Sequence, residues 1–167
     1  SPLWFTAKGG WEKKENTDYF VKYAEKVTKE LGEYSDIICT INEANLTSSL
    51  AHSFPNYPEG GFKPFLPFLA KAAKKCGSNL ENFGPFLFGH PFKTRDSMLE
   101  AHKNAFPVIK EHLKRNQPVG LTLSIMDHQA LPGGEDKRDK ANKDAVDFCL
   151  EQIKDDDFVG VQTYTRH

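Results

Sequence analysis

Two rhythms of apolar residues alternate along the chain. The first is the short unbroken run. Residues 37–41 read Ile-Ile-Cys-Thr-Ile, residues 119–125 read Val-Gly-Leu-Thr-Leu-Ser-Ile, and residues 157–162 read Asp-Phe-Val-Gly-Val-Gln. Runs of this length, rich in β-branched residues, predict strands buried on both faces. Residues 1–6, Ser-Pro-Leu-Trp-Phe-Thr, predict the end of one more strand entering a loop. The Gly9-Gly10 pair then marks a turn.

The second rhythm has apolar residues every three or four positions. Phe20, Tyr23, Ala24, Val27 and Leu31 form one such stripe, with Lys and Glu on the other face. They predict a helix capped by Asn16 or Thr17 and stopped at Gly32. Met98, Leu99, Ala101, Ala105, Phe106, Ile109 and Leu113 predict a helix over about 97–115, which Pro107 should kink or split. Ala141, Ala145, Phe148 and Cys149 predict a third helix over about 136–153. Residues 45–96 are less regular. Pro55, Pro58, Pro64 and Pro67, with Gly60 and Gly61, break long elements there. A short helix over 68–75, ending at Gly77, is the one element expected.

Strand, helix, strand, loop and helix, strand, helix, strand is the order of a parallel sheet with helical crossovers. The expected class is α/β, as one domain over 1–167 with an irregular insertion at 45–96. That insertion holds many aromatics, among them Phe54, Tyr57, Phe62, Phe65, Phe83, Phe86 and Phe92. Most are expected to pack the loop onto the sheet. A high aromatic content argues against disorder. No GxGxxG follows a strand and no GxxxxGK[ST] occurs, so nucleotide-binding versions of this architecture lack support.

Composition narrows the partners. Net charge is −1 over 167 residues, which gives no electrostatic case for nucleic acid or an anionic membrane. No apolar run approaches the roughly 20 residues of a membrane span. The three cysteines, Cys39, Cys76 and Cys149, lack CxxC spacing. That points to reduced thiols and a cytoplasmic setting. The chain starts at Ser1 without Met, so an upstream segment is a standing expectation.

The chemistry sits where the runs end. Trp4 and Thr6, Asn42 and Glu43, Asp127 and His128, and Gln162 and Tyr164 stand at four strand exits. In a parallel barrel all exits face one rim, where catalytic groups gather. Carboxylate, amide and aromatic side chains together suit a sugar. Amides and carboxylates bind hydroxyls, and rings pack on the apolar faces of pyranoses. Glycoside hydrolysis needs a carboxylic acid to protonate the leaving oxygen and a second carboxylate to attack or to activate water. Glu43 fits the first role. A metal site lacks support, because Asp127 and His128 are adjacent and no HxxxH or HExxH occurs. No cofactor is implied. Cys39 is expected midway along a buried strand, so it is no nucleophile. His102 is expected as a core histidine with its hydrogen bonds satisfied. The Asp155–Asp157 acidic run is expected to be a solvated loop.

Ordered motifs carry a resemblance. They are Ser-Pro-Leu-Trp-Phe at 1–5, Gly-Gly-Trp at 9–11, Thr-Ile-Asn-Glu-Ala at 40–44, Ala-His at 101–102, and Asp-Phe-Val-Gly-Val-Gln-Thr-Tyr-Thr at 157–165. The set resembles glycoside hydrolase family 1, the β-glucosidase family. The resemblance implies a (β/α)8 TIM barrel, of which this chain would supply about strands 3 to 6. It implies retaining hydrolysis of a β-glucoside or related oligosaccharide. Glu43 resembles the general acid/base, Asn42 the asparagine that binds the hydroxyl beside the anomeric carbon, and Tyr164 the tyrosine that contacts the nucleophile. Gln162 stands where the family has Asn, Thr163 where it has Tyr, and Ala44 where it has Pro. The family's nucleophile, in a Thr-Glu-Asn-Gly motif on the seventh strand, has no counterpart in 1–167. The expected partner is therefore the missing remainder of the barrel or another copy of the chain. The alternatives are a non-catalytic half-barrel that binds sugar or only assembles, and an unrelated barrel enzyme using Asp127 or His128.

Overall fold

A computed structural model describes residues 1–53 and 63–166. Phe54, Tyr57 and Phe62, the prolines at 55 and 58, the glycines at 60 and 61, and His167 lie outside the described residues. Three parallel strands form one sheet in the order β1-β2-β3: β1 is Ile38–Cys39, β2 is Val119–Asp127 and β3 is Phe158–Arg166. Cys39 and Phe158 flank Gly120 on either side, and the β2–β3 register holds from there to Ile125 and Thr163.

The helices that link the strands cover one face. Helix α2 (Thr17–Leu31) and α5 (Pro91–His112) pack on each other. Helices α6 (Glu135–Asn142) and α7 (Phe148–Gln152) flank a π-helical turn at Lys143–Asp147. Leu121 and Leu123 of β2 meet Met98 and Leu99 of α5 and Cys149 and Ile153 at the end of α7 in one buried cluster. Strands adjacent in sequence, with both crossover helices on the same face, make the winding of a barrel, not of an open doubly wound sheet.

The first six residues depart from expectation. Residues Leu3–Ala7 are a helix, α1, not the end of a strand. Pro2 already has a restricted φ, and its carbonyl accepts the N–H groups of Phe5 and Thr6. Phe5 is buried and sets its ring edge-to-face on Trp11, 5.1 Å away. Tertiary packing thus overrides a short apolar run that reads equally well as strand. The sheet accordingly has three strands among the described residues, not four.

Other boundaries shift for local reasons. Asn16 does not cap α2 with its side chain. It donates to Lys8 O and Gly10 O and closes the preceding turn. Gly10 has φ 55°, and a Cβ there would sit 2.1 Å from Gly84 O, so only glycine fits. Helix α5 starts six residues early, at Pro91, and runs unbroken through Pro107. Ala101 and Ala105 before that proline and Ile109 after it are all buried, and this continuous face outweighs one lost hydrogen bond. The segment 45–96 contains α3 (Leu46–Ser53) and α4 (Leu66–Lys75) as well as the first turns of α5.

Burial also differs from a strand covered on both faces. Cys39 on β1 and Ile37 just before it are exposed, and so are Val159 and Val161 along β3. No described strand pairs with the outer edge of either one. Cys39 is therefore accessible, contrary to expectation. Cys149 is fully buried, and loss of solvation pushes its thiol up to about 12. We expect iodoacetamide at pH 8 to leave Cys149 unmodified in the native protein and to alkylate it in urea, as read by peptide mass spectrometry.

His102 is buried within α5, with Nδ1 2.7 Å from Thr40 Oγ1 and Nε2 3.0 Å from Asp156 Oδ1. It is a satisfied core histidine that ties the end of β1 to the turn before β3. Among the described residues, no helix is long and apolar enough to cross a membrane.

Candidate active site

The ladder between β1 and β2 becomes irregular at the Asn42–Glu43 pair. Thr40 donates its N–H to Gly120 O at 2.9 Å, as a regular ladder requires. Thr122 then donates its N–H to Ile41 O at 3.1 Å and accepts from Ala44 N–H at 3.3 Å. In a regular parallel ladder those two partners would be two residues apart. Here they are three apart, so Asn42 and Glu43 together oppose Thr122. Two residues opposite one is the arrangement of a β-bulge, which re-aims side chains at the end of a strand.

Glu43 absorbs the extra residue. Its φ is +52°, and among the described residues it is the one non-glycine residue in the left-handed region. Such a conformation costs of order 1–3 kcal/mol and persists only where neighbours over-determine it. Its N–H donates to Thr122 Oγ1 at 2.9 Å. Glu43 is 8% exposed, and its buried Oε1 has no hydrogen-bond partner. An unpartnered buried carboxylate oxygen is costly and is typical of a site built for a ligand.

Thr122 is the hub that joins the three strands. Besides accepting the Glu43 N–H, its hydroxyl accepts from Gln162 Nε2 at 2.9 Å and donates to Asn42 Oδ1 at 3.1 Å. Gln162 Nε2 also donates to Asn42 Oδ1 at 2.6 Å. Tyr164 OH donates to Gln162 Oε1 at 2.6 Å. Asn42, Glu43, Gln162 and Tyr164 thus form one connected polar group on the rim.

The Glu43 carboxylate beside Tyr164 disfavours a second negative charge there and raises the phenol's pKa above the usual tyrosine range. A raised pKa means that the neutral phenol persists to higher pH. We expect the ultraviolet titration of Tyr164 to begin above the ordinary tyrosine range. Glu43→Gln should bring it back down, and difference spectra against Tyr164→Phe would isolate it.

Asp127 and His128 lie on the same rim, along a cavity of about 530 Å³ lined also by Met126, Asn142 and Tyr164. Asp127 Oδ1 accepts from Gln129 Nε2 at 2.7 Å, and His128 Nδ1 lies 2.8 Å from Asn142 Oδ1. Among the described residues, no group of three or more His, Cys, Asp or Glu side chains is placed to hold a metal ion. Trp4 and Thr6 stand apart from this rim. They belong to α1, where Trp4 packs edge-to-face on Tyr19 at 5.0 Å.

Thr122 was the residue that sequence reasoning missed. Its signal is that Thr122, like Ser124, puts a polar side chain on the face opposite Leu121 and Leu123 in a mostly apolar run. Asn45 was missed as well; it is fully buried two residues beyond Glu43.

A family model described as glycosyl hydrolase family 1 matches residues 1–167. Beta-glucosidase A of Acetivibrio thermocellus is 27% identical over 132 residues, which are 79% of this chain and 23% of that protein. The crystal structure of beta-glycosidase BGL167 superposes with a TM-score of 0.87 at 36% identity, covering 99% of this chain and 40% of that one. The apo structure of a beta-glucosidase designated 1317 gives 0.80 at 33% identity, again over 99% and 40%. The chain therefore spans well under half the length of these relatives.

Proposed function

The chain belongs to glycosyl hydrolase family 1, and from that premise we propose that it carries the acid/base half of a retaining β-glycosidase that acts on a terminal β-linked sugar. The observation that carries this reading is Glu43 itself. It is a buried carboxylate with an unpartnered oxygen, thrown onto the rim by a bulge and bordered by two amides and a phenol. The substrate would be a β-glucoside or a related oligosaccharide.

In the first step a glutamate outside residues 1–167 attacks the anomeric carbon. Glu43 gives its proton to the departing glycosidic oxygen, so the leaving group departs as a neutral alcohol. In the second step water attacks the same carbon and Glu43 takes a proton from it, which releases the glutamate and regenerates the acid. Asn42 would bind the hydroxyl beside the anomeric carbon, which explains why its Oδ1 is held by Gln162 and Thr122. Gln162 would share in that binding, and Tyr164 would reach toward the attacking glutamate.

The partner is the remaining part of a barrel. The exposed Ile37 beside β1 and Val159 and Val161 on β3, two strands with open outer edges, support this. The three free thiols favour a cytoplasmic setting. The test is hydrolysis of an aryl β-glucoside by the barrel completed around these residues, followed by proton NMR. The β anomer is expected to form first, and residues 1–167 alone are expected to be inactive. The α anomer forming first would overturn double displacement. Sugar-dependent NMR shifts at Asn42 and Gln162 with no hydrolysis would favour a non-catalytic sugar-binding half-barrel.

A further inference from the structure

We propose that Asn45 is a positioning residue for Glu43, its side-chain amide completing the β1–β2 ladder past the bulge and so holding Glu43 in its left-handed conformation. This rests on the reading of Glu43 as acid/base for its catalytic consequence, though not for its structural one.

Along β2, the residues whose backbone groups face β1 are Gly120, Thr122 and Ser124. The first two are met by backbone, from Thr40, Ile41 and Ala44. At Ser124 no β1 backbone remains in reach, because the chain turns into α3. The Asn45 side chain takes its place. Oδ1 accepts the Ser124 N–H at 2.8 Å, and Nδ2 donates to Ser124 O at 2.7 Å. A side-chain amide carries one acceptor and two donors, so it can stand in for a peptide unit and still have a hydrogen left. That second hydrogen goes to Ala145 O at 2.9 Å. Ala145 lies in the π-helical turn, where Arg95 Nη1 also binds the neighbouring Asp144 O.

Asn45 thus joins three elements while being fully excluded from solvent. The bulge is held at both ends. Ile41 O and Ala44 N–H are fixed on Thr122, and Asn45 is fixed on Ser124. Glu43 lies between these anchors with no freedom to return to the ordinary strand region, where its carboxyl would point elsewhere. The strain at Glu43 is therefore imposed through the backbone, from Asn45 and β2.

Two readouts test this. The first needs no activity. In Asn45→Ala, amide exchange at Ser124 should rise roughly 10-fold or more, as expected for a buried donor that loses its acceptor. Leu121 and Leu123 should stay protected, and the NMR-derived φ of Glu43 should leave the left-handed region. Asn45→Asp keeps the volume and the acceptor of the Ser124 N–H but sets an oxygen against Ser124 O and Ala145 O. If the alanine variant does not fold, the matter is decided by the φ of Glu43 in Asn45→Asp, which should leave the left-handed region. Ser49→Ala removes only a 3.5 Å contact to Asn45 and should change nothing. Unaltered exchange at Ser124 with Glu43 still left-handed would overturn the proposal.

The second readout is kinetic. In the active barrel, Asn45→Asp should lower kcat/KM for phenyl β-glucoside by roughly 100-fold, the scale set by a misplacement of about 1 Å. For 2,4-dinitrophenyl β-glucoside, which departs without protonation, the loss should be under about 10-fold. Equal losses on both substrates would reduce Asn45 to a structural role. If Glu43→Gln itself shows no such dependence on the leaving group, the acid/base reading fails, while the exchange result still decides whether Asn45 holds the bulge.

Discussion

Replacing Glu43 by Gln should lower kcat/KM of the completed barrel for an alkyl or phenyl β-glucoside by roughly 10²–10⁴-fold, the usual contribution of a positioned general acid. The amide keeps the shape of the side chain and its place on the rim, so binding of the sugar should change little. What it removes is the proton that the leaving oxygen needs. The loss should therefore shrink as the leaving group becomes more acidic and nearly vanish for 2,4-dinitrophenyl β-glucoside. Deglycosylation would still be slow, since Gln cannot take a proton from water. A small anion such as azide, which needs no general base, should then restore turnover and yield a β-glycosyl azide. The same variant should lower the Tyr164 titration, because the neighbouring negative charge is gone. Unchanged kcat/KM with phenyl β-glucoside would remove Glu43 from the mechanism and turn attention to Asp127 and His128 across the same rim.

The parts of this site that were legible in the sequence are those fixed by residue type and order. Asn42 and Glu43 follow an apolar run, and Gln162 and Tyr164 follow another. A parallel sheet brings both exits to one rim. Leu121 and Leu123, and Ala101, Ala105 and Ile109, likewise follow from periodicity alone, because burial of one face is what makes those elements form. In the α2 stripe, by contrast, Ala24 is buried but Tyr23 and Leu31 are exposed. What stayed hidden depends on partners distant in sequence. The bulge exists because Thr122 takes Ile41 and Ala44 as partners, a pairing across some 80 residues that no local pattern encodes. Asn45 looks like a surface turn residue until β2 supplies the two backbone groups it binds. The α1 error has the same root. Residues Leu3–Ala7 are helical because Phe5 has Trp11 to pack on and Pro2 O has two N–H groups to accept, and the strand reading tested neither. Exposure of Cys39, Val159 and Val161 was not legible either, since a run of apolar residues does not say whether the neighbouring strand or helix is present.

The largest effect on stability is expected at Leu123. It is fully buried in the middle of β2, among Ile41, Ala44, Met98, Leu99, Cys149 and Ile153. Those neighbours come from the bulged strand, from α5 and from the end of α7, so no one element can move in to fill a space left between them. Leu123→Ala should therefore incur both the lost transfer free energy and most of the cavity term, about 2–5 kcal/mol in all. Against a domain stability of about 5–15 kcal/mol, that is a substantial fraction. Urea unfolding followed by circular dichroism should show the midpoint falling by roughly 1–2 M with little change in slope. Leu131→Ala is the control. That side chain is 84% exposed, and its loss should stay within about 0.5 kcal/mol. The cavity also has a local signature. Cys149 borders it, so the thiol that is protected in the native protein should be alkylated faster in Leu123→Ala at a urea concentration where both proteins remain folded. Equal midpoints for Leu123→Ala and Leu131→Ala would mean that the helix layer does not pack on β2 in this way. Thr122 and Ser124, which flank Leu123 and point to the opposite face, carry the hydrogen bonds that place Glu43 and Asn45. Loosening of that packing should thus reach the rim through the backbone of β2, and activity should fall in Leu123→Ala below the urea midpoint, before the fold is lost.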